Sequence, residues 1–203
     1  MRRLFFSQTY NLNTSTQNIK MVMQVEDVLD KLAQLSPKEI LGYAIASEED
    51  AKQFYEALAS KSGEVLGEFF RDLSKAEEKH KVILLKLHES LFGDTNYIVP
   101  EGIPFAETSV NVDTVANLIE AMRVALINEK TAERIYSHLS EILPEHRGIF
   151  SFLAAQERAH YASIRSHVEY LEDVTQGQPE YVNAPVEFFG AQLELYLGPR
   201  TRK

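Results

Sequence analysis

The chain has 203 residues, a formal net charge of −9 and 44% hydrophobic residues, which is enough for one domain with a single core. The excess of acidic residues gives no reason to expect nucleic acid or an anionic membrane as a partner. No run approaches the roughly 18 apolar residues of a membrane span. The absence of cysteine excludes disulfide bonds and agrees with a cytoplasmic location.

The first segment, residues 1–22, is predicted to be a flexible arm. It begins like a signal peptide, but its apolar stretch stops at Ser7, so no signal peptide is expected. Residues 7–19 are rich in Asn, Thr, Ser and Gln, a composition typical of unstructured chain. A short amphipathic helix is predicted next, from apolar residues at Val25, Val28, Leu29, Leu32 and Leu35.

Two long helices follow in the first half of the chain. The first begins at Ser36-Pro37-Lys38-Glu39, which combines a capping box with proline at the first helical position. Its apolar seam, in steps of three and four residues, places Glu48 on the core face and Glu49 on the outer face. Gly63 separates it from the second helix, which is predicted to end at Gly93.

Two further long helices are predicted in the second half. The connection over residues 93–112 contains Pro100, Gly102 and Pro104 and is long enough to cross the bundle. Asp113 is the expected cap of the third helix, Pro144 marks the turn to the fourth, and a polar loop is expected after Asp173.

These elements predict an all-α domain over residues 23–182, a four-helix bundle with a long crossover between its second and third helices. Residues 183–203 are predicted to form a short C-terminal helix and tail. The helix, over about 185–197, has an apolar face that must cover either the same subunit or a neighbour. The sequence does not decide between them.

A repeat places the same residue types in both halves. Glu77 and His80 are matched by Glu157 and His160 with an offset of 80, and each pair is a Glu-x-x-His at equivalent points of an apolar seam. Residues three apart share a face of a helix, so both members of each pair can point at one target. The preceding helices carry a second match with an offset of 81: Glu48 and Glu129, Ala51 and Ala132, Tyr55 and Tyr136.

Four carboxylates and two imidazoles converging in a bundle core form the ligand set of a di-iron or di-manganese centre. Uncompensated, six such groups would be costly to bury, and metal ions are the simplest compensation. The predicted ligands are Glu48, Glu77, His80, Glu129, Glu157 and His160. Tyr55 and Tyr136 lie two turns beyond their Glu, where each hydroxyl could hydrogen-bond a ligating carboxylate or simply reach water from an ordinary core position.

The order Glu, Glu-x-x-His, long connection, Glu, Glu-x-x-His resembles the ferritin-like superfamily, most closely its rubrerythrin branch, over about residues 36–172. The resemblance implies a bundle with one long crossover and ligation of two metals by those six residues. It also implies that Glu77 and Glu157 bridge the metals. The implied cofactors are two iron ions per chain, with manganese as the alternative, and no haem.

The chain departs from that family pattern in two ways. It has no cysteine, so an iron–sulfur or rubredoxin centre is not expected and electrons would come from a separate donor protein. Rubrerythrins also carry a seventh carboxylate three residues after the third-helix Glu, where this chain has Ala132. Glu133 is a candidate replacement, although a solvent-facing position is the more common one for glutamate.

Three functions are compatible with the sequence. The leading one is a non-haem di-iron oxidoreductase of rubrerythrin type that reduces hydrogen peroxide or O₂ in oxidative-stress defence, as a homodimer or small homo-oligomer. The second is a ferroxidase and iron-storage protein of bacterioferritin type, which needs a cage of many subunits. The third is a non-catalytic bundle. Particle size distinguishes the second from the first, and metal content distinguishes the third.

Overall fold

The computed structural model describes residues 27–101, 103, 114–177 and 181–186. Within them the chain is helical: α1 over 27–32, α2 over Pro37–Lys61, α3 over Glu64–Phe92, α4 over Val115–Ile142 and α5 over Arg147–Gly177, with a 3₁₀ turn at Pro144–His146. The predicted all-α, ferritin-like bundle is confirmed. In the described part of the chain, no helix combines the length and apolar character of a membrane span.

The ends of α2 and α3 follow the sequence signals. The Ser36 hydroxyl accepts a hydrogen bond from the Glu39 amide while the Glu39 carboxylate accepts one from the Ser36 amide, which completes the capping box. Gly93 ends α3 with φ 82°, a left-handed conformation that glycine adopts without steric cost. Both boundaries agree with the prediction.

Two predicted boundaries differ from the structure. The cap of α4 is Thr114, whose hydroxyl accepts a hydrogen bond from the Asn117 amide, whereas Asp113 lies outside the described residues. Helix α5 continues to Gly177 instead of ending at Asp173. Its last turn is held because Val174 packs against the apolar core and the Thr175 hydroxyl donates to the Leu171 carbonyl.

The helices pack as two pairs, α2 with α3 and α4 with α5, and α2 also approaches α4. The apolar core has two clusters, one around Phe70, Leu118 and Ile164 and the other around Leu41, Leu84 and Phe150. The polar residues of the repeat interrupt the seams between these two clusters. The bundle therefore holds a polar level between two apolar ones.

The connection after α3 runs across α2. Gly42 permits this crossing, because a Cβ built at Gly42 would lie 2.1 Å from the Ile98 carbonyl oxygen. Further along, Ile103 is buried in the second apolar cluster. The remainder of the predicted crossover lies outside the described residues.

A short segment near the C-terminus folds back onto the same chain. The Val115 and Ala116 amides donate to the carbonyls of Ala184 and Val182, and Val186 is buried in the first apolar cluster. This segment covers the first turn of α4 and satisfies amide groups that a helix start leaves unpaired. The predicted arm over 1–22 and most of the C-terminal helix lie outside the described residues.

Candidate metal centre

All six predicted ligands are brought together at the polar level of the bundle. Glu48 comes from α2, Glu77 and His80 from α3, Glu129 from α4, and Glu157 and His160 from α5. The four carboxylates and His80 are at most 3% exposed, and the His160 side chain is 12% exposed. Glu49, one residue from Glu48, instead turns outward and pairs with Lys81.

The six side chains form two overlapping groups that could each hold a metal ion. One contains Glu48 and His80, the other contains Glu129 and His160, and both contain Glu77 and Glu157. In each group the possible ligand atoms lie within 4.8 Å of one another. The two shared carboxylates are the ones that a pair of metals would have in common.

The imidazoles lie at the centre of this arrangement. His80 Nδ1 is 2.8 Å from Glu157 Oε1 and 3.1 Å from Glu77 Oε2, while His160 Nδ1 is 3.1 Å from Glu77 Oε1. The two rings stack with their centroids 5.4 Å apart. Each histidine thus faces carboxylates contributed by its own helix and by another.

Two buried tyrosines hold the outer carboxylates crosswise. The Tyr55 hydroxyl of α2 donates to Glu129 of α4, and the Tyr136 hydroxyl of α4 donates to Glu48 of α2. Of the two alternatives left open by the sequence, the structure has the hydroxyl bonded to a carboxylate of the cluster. Such bonds orient a metal ligand and tune its basicity.

Burial and mutual contact shift the pKa values of the cluster strongly. Burial and the neighbouring carboxylates raise the pKa values of Glu48 and Glu129 well above the ordinary value. Burial would lower the pKa of His80, but close contacts with the carboxylates of Glu157, Glu48 and Glu77 outweigh it and raise the pKa to about 12. The pKa of Glu77 is lowered to about 2, because close contacts with both imidazoles outweigh the effect of burial.

Several buried polar atoms of the cluster have no hydrogen-bond partner among the described residues: Glu77 Oε1, Glu129 Oε2, Glu157 Oε1 and His160 Nδ1. All four lie within 3.5 Å of a carboxylate or imidazole of the cluster but without the alignment of a hydrogen bond. Buried polar atoms are rarely left unpaired. These nitrogen and oxygen atoms belong to groups whose possible ligand atoms lie within 4.8 Å of one another. Such ligand atoms suit iron or manganese.

Glu133 was expected to face solvent or to replace the seventh carboxylate, and the first expectation was wrong. Glu133 is 8% exposed, and it accepts hydrogen bonds from Arg158 Nε at 2.8 Å and Lys130 Nζ at 2.6 Å. Burial raises its pKa, but these two cations outweigh burial and lower it. Glu133 is not among the residues that share the two groups of possible ligands.

A cavity of about 80 Å³ lies between α2 and α4 and reaches the cluster; we call it the α2–α4 cavity. It is lined by Glu48, Glu77, Glu129 and Glu157, and beyond them chiefly by Ser47, Asp50, Ala51, Phe54, Asn128, Thr131, Ala132 and Ile135. No sequence pattern discussed above predicted this cavity. The offset of 81 could have indicated its walls, because Ser47 matches Asn128 and Phe54 matches Ile135.

The helix order, the crosswise tyrosines and the buried carboxylate–histidine cluster define a ferritin-like bundle whose polar level suits a di-iron site. The family model described as Rubrerythrin matches residues 39–168, most of the chain. The chain belongs to the rubrerythrin family.

One solved structure extends this comparison. A hypothetical protein from Pyrococcus furiosus is 31% identical, and the match covers 71% of this chain and 95% of that one with a TM-score of 0.67. Its printed description assigns it no activity, so the likeness supports the fold and the family alone. No curated protein matches this chain significantly.

Proposed function

We propose that the protein is a non-haem di-iron oxidoreductase that reduces hydrogen peroxide, or O₂, with electrons from a separate donor protein. The observation that supports this most is the pair of buried ligand groups that share Glu77 and Glu157. Two metals that share carboxylates can act together on one small oxidant.

The proposed ligands follow from the two groups. Glu48 and His80 would hold one iron, Glu129 and His160 would hold the other, and Glu77 and Glu157 would contact both. When bound, two irons cycling between Fe(II) and Fe(III) would supply the two electrons that convert H₂O₂ and two protons to two waters. Manganese fits the same donor set.

The protein's own residues would position and shield this chemistry. Tyr55 and Tyr136 fix the outer carboxylates through buried hydrogen bonds, so the ligands need little reorganisation on binding metal. The apolar clusters on both sides of the polar level shield it from solvent in those two directions, which strengthens the electrostatic interactions within it.

The chain has no cysteine with which to hold a thiolate-ligated iron centre of its own. We further propose an external electron-donor protein, a cytoplasmic location and a small homo-oligomeric state.

The decisive experiment combines metal analysis, oxidation kinetics and particle size on one sample. After anaerobic reconstitution with Fe(II), we expect two metals per chain, faster oxidation by hydrogen peroxide than by O₂, and a small particle by light scattering. Glu48→Ala should lose one metal or most of the peroxide reactivity. Glu49→Ala is the matched control on the outward face of the same helix and should change neither.

The alternatives give different outcomes. Preference for O₂ with iron accumulating in a cage-sized particle would favour a ferroxidase and storage protein. A metal content near zero after reconstitution would favour a non-catalytic bundle. Either result would overturn the proposal.

A further inference from the structure

The residues that line the α2–α4 cavity range from partly exposed ones to the buried carboxylates of the cluster. Its outer lining includes the partly exposed Ser47, Asn128 and Thr131, whereas its inner lining includes the buried carboxylates of Glu48 and Glu129. The described lining residues include four carboxylates of the cluster and neither of its histidines. The cavity therefore approaches the candidate metal centre from its carboxylate side.

Most residues that line the cavity occupy matched positions of the internal repeat. Ser47 and Asn128, Ala51 and Ala132, and Phe54 and Ile135 are pairs with the same offset as Glu48 and Glu129. A cavity built from matched positions of two equivalent helices presents similar walls to both ligand groups.

The size and charge of the cavity restrict what can enter. Its volume of about 80 Å³ suits a few molecules of water size, since water occupies roughly 30 Å³ in the liquid. No described lining residue is basic, whereas Asp50 and the cluster carboxylates are acidic. A small, neutral, polar molecule suits this lining better than an anion or an organic substrate.

We infer that the α2–α4 cavity is the entry route for a small neutral oxidant, and that Ala51 and Ala132 set its size limit. Both alanines are partly exposed, line the cavity at matched positions of the repeat, and lie one turn beyond a cluster carboxylate. A longer side chain at either position would fill the space between the rim and the carboxylates. The inference rests on the proposed function for the identity of the oxidant, but only on metal binding for the route.

The test measures access by two independent probes. In Fe(II)-loaded protein, the association rate of nitric oxide reports access of a small neutral molecule without turnover, and stopped-flow oxidation by hydrogen peroxide reports the reaction. Ala132→Leu and Ala51→Leu should each slow both rates at least about tenfold, with the Val variants intermediate, if the cavity is the route. Ala57→Leu, at an exposed position on α2, is the matched control and should change neither rate.

A size series makes the test independent of any loss of metal in the Leu variants. The double variant Ala51→Gly/Ala132→Gly should raise the rate of oxidation by tert-butyl hydroperoxide relative to hydrogen peroxide by at least about fivefold. Unchanged nitric oxide rates in metal-replete Leu and Val variants, together with an unchanged hydroperoxide ratio in the Gly variant, would overturn the route. A different result would overturn the proposed function and leave the route standing. In that case hydrogen peroxide would oxidise the wild type only slowly, while the Leu variants would still bind nitric oxide more slowly than the wild type.

Discussion

Removing the metal should make the stability of the protein fall as pH rises through neutrality. In the folded, metal-free protein the carboxylates raise the pKa of His80 to about 12 and raise that of His160 as well, whereas both imidazoles have ordinary values near 6.5 when unfolded. Above pH 6.5 the folded state therefore holds protons that the unfolded state has released. Stability is fully present below the unfolded pKa and is lost as pH rises towards the folded pKa.

The carboxylates modify this dependence in known directions. Glu48 and Glu129 have raised pKa values, so they add to the loss of stability with rising pH. Glu77 has the opposite shift, to about 2, so its contribution is present above about pH 4.5 and is lost only as pH falls through the folded pKa. It does not oppose the trend near neutrality.

The magnitude follows from the number of extra protons. Each additional proton that the folded state binds lowers the free energy of unfolding by about 1.4 kcal/mol for every unit that the pH rises. The stacked rings of His80 and His160 repel each other when both are charged, so one extra proton is a lower bound and two an upper bound for the imidazoles. For a domain of this size, that is roughly 3–11 °C of Tm per pH unit near pH 7.5.

Thermal unfolding of metal-free and Mn(II)-loaded protein from about pH 6.5 to about pH 8.5 measures this effect. Bound metal replaces the protons, so the stabilisation by Mn(II) should grow with pH while the Tm of the metal-free protein falls. A Tm of the metal-free protein that stays level or rises over this range would refute the reasoning. It would mean that the imidazoles are neutral in the folded state.

Two further substitutions test the fold and the support of the cluster. Gly42→Ala should destabilise the protein by about 1–3 kcal/mol, because the new Cβ would meet the Ile98 carbonyl and force the crossover away from α2; chemical denaturation would measure it. Tyr136→Phe should weaken metal binding by roughly 10–100-fold, because the buried Glu48 carboxylate loses its hydroxyl donor; competition with a metal chelator would measure it.

Each of these substitutions has a matched control. Gly148→Ala adds a Cβ that meets nothing within 4 Å, so it should not destabilise the protein. Tyr170→Phe removes a hydroxyl from a tyrosine that is 38% exposed, so metal affinity should not change. If Gly42→Ala and Gly148→Ala reduced stability equally, the contact with the crossover would not explain the effect. If Tyr136→Phe and Tyr170→Phe weakened metal binding equally, the hydroxyl bond to Glu48 would not explain it.

The sequence predicted most of this architecture because seam periodicity and end signals are local. Glu48 and Glu49 are neighbours, and only the helix phase separates the buried side chain from the one that pairs with Lys81. Other features depend on contacts between distant segments. Asp113 and Thr114 are both suitable cap residues, so local signals alone do not separate them, and residues 181–186 contact the chain directly after Thr114. The crossing at Gly42 needs a backbone segment from beyond α3 and has no local signal.

The position of Glu133 has a physical explanation in the repeat. An offset of 81 pairs Glu133 with Lys52, and an offset of 80 pairs Arg158 with Glu78. Lys52 Nζ lies 2.8 Å from Glu78 Oε2, and Arg158 Nε lies 2.8 Å from Glu133 Oε1. The two halves therefore contain the same interhelical ion pair with its charges exchanged.

This exchange accounts for the absence of Glu133 from the ligand groups. A carboxylate held by Arg158 and Lys130 has its charge already compensated outside the cluster. Turning it towards a metal would leave two cations without a partner. In the described part of the chain, the repeat thus uses position 132 to leave space beside the cluster and position 133 to join helices.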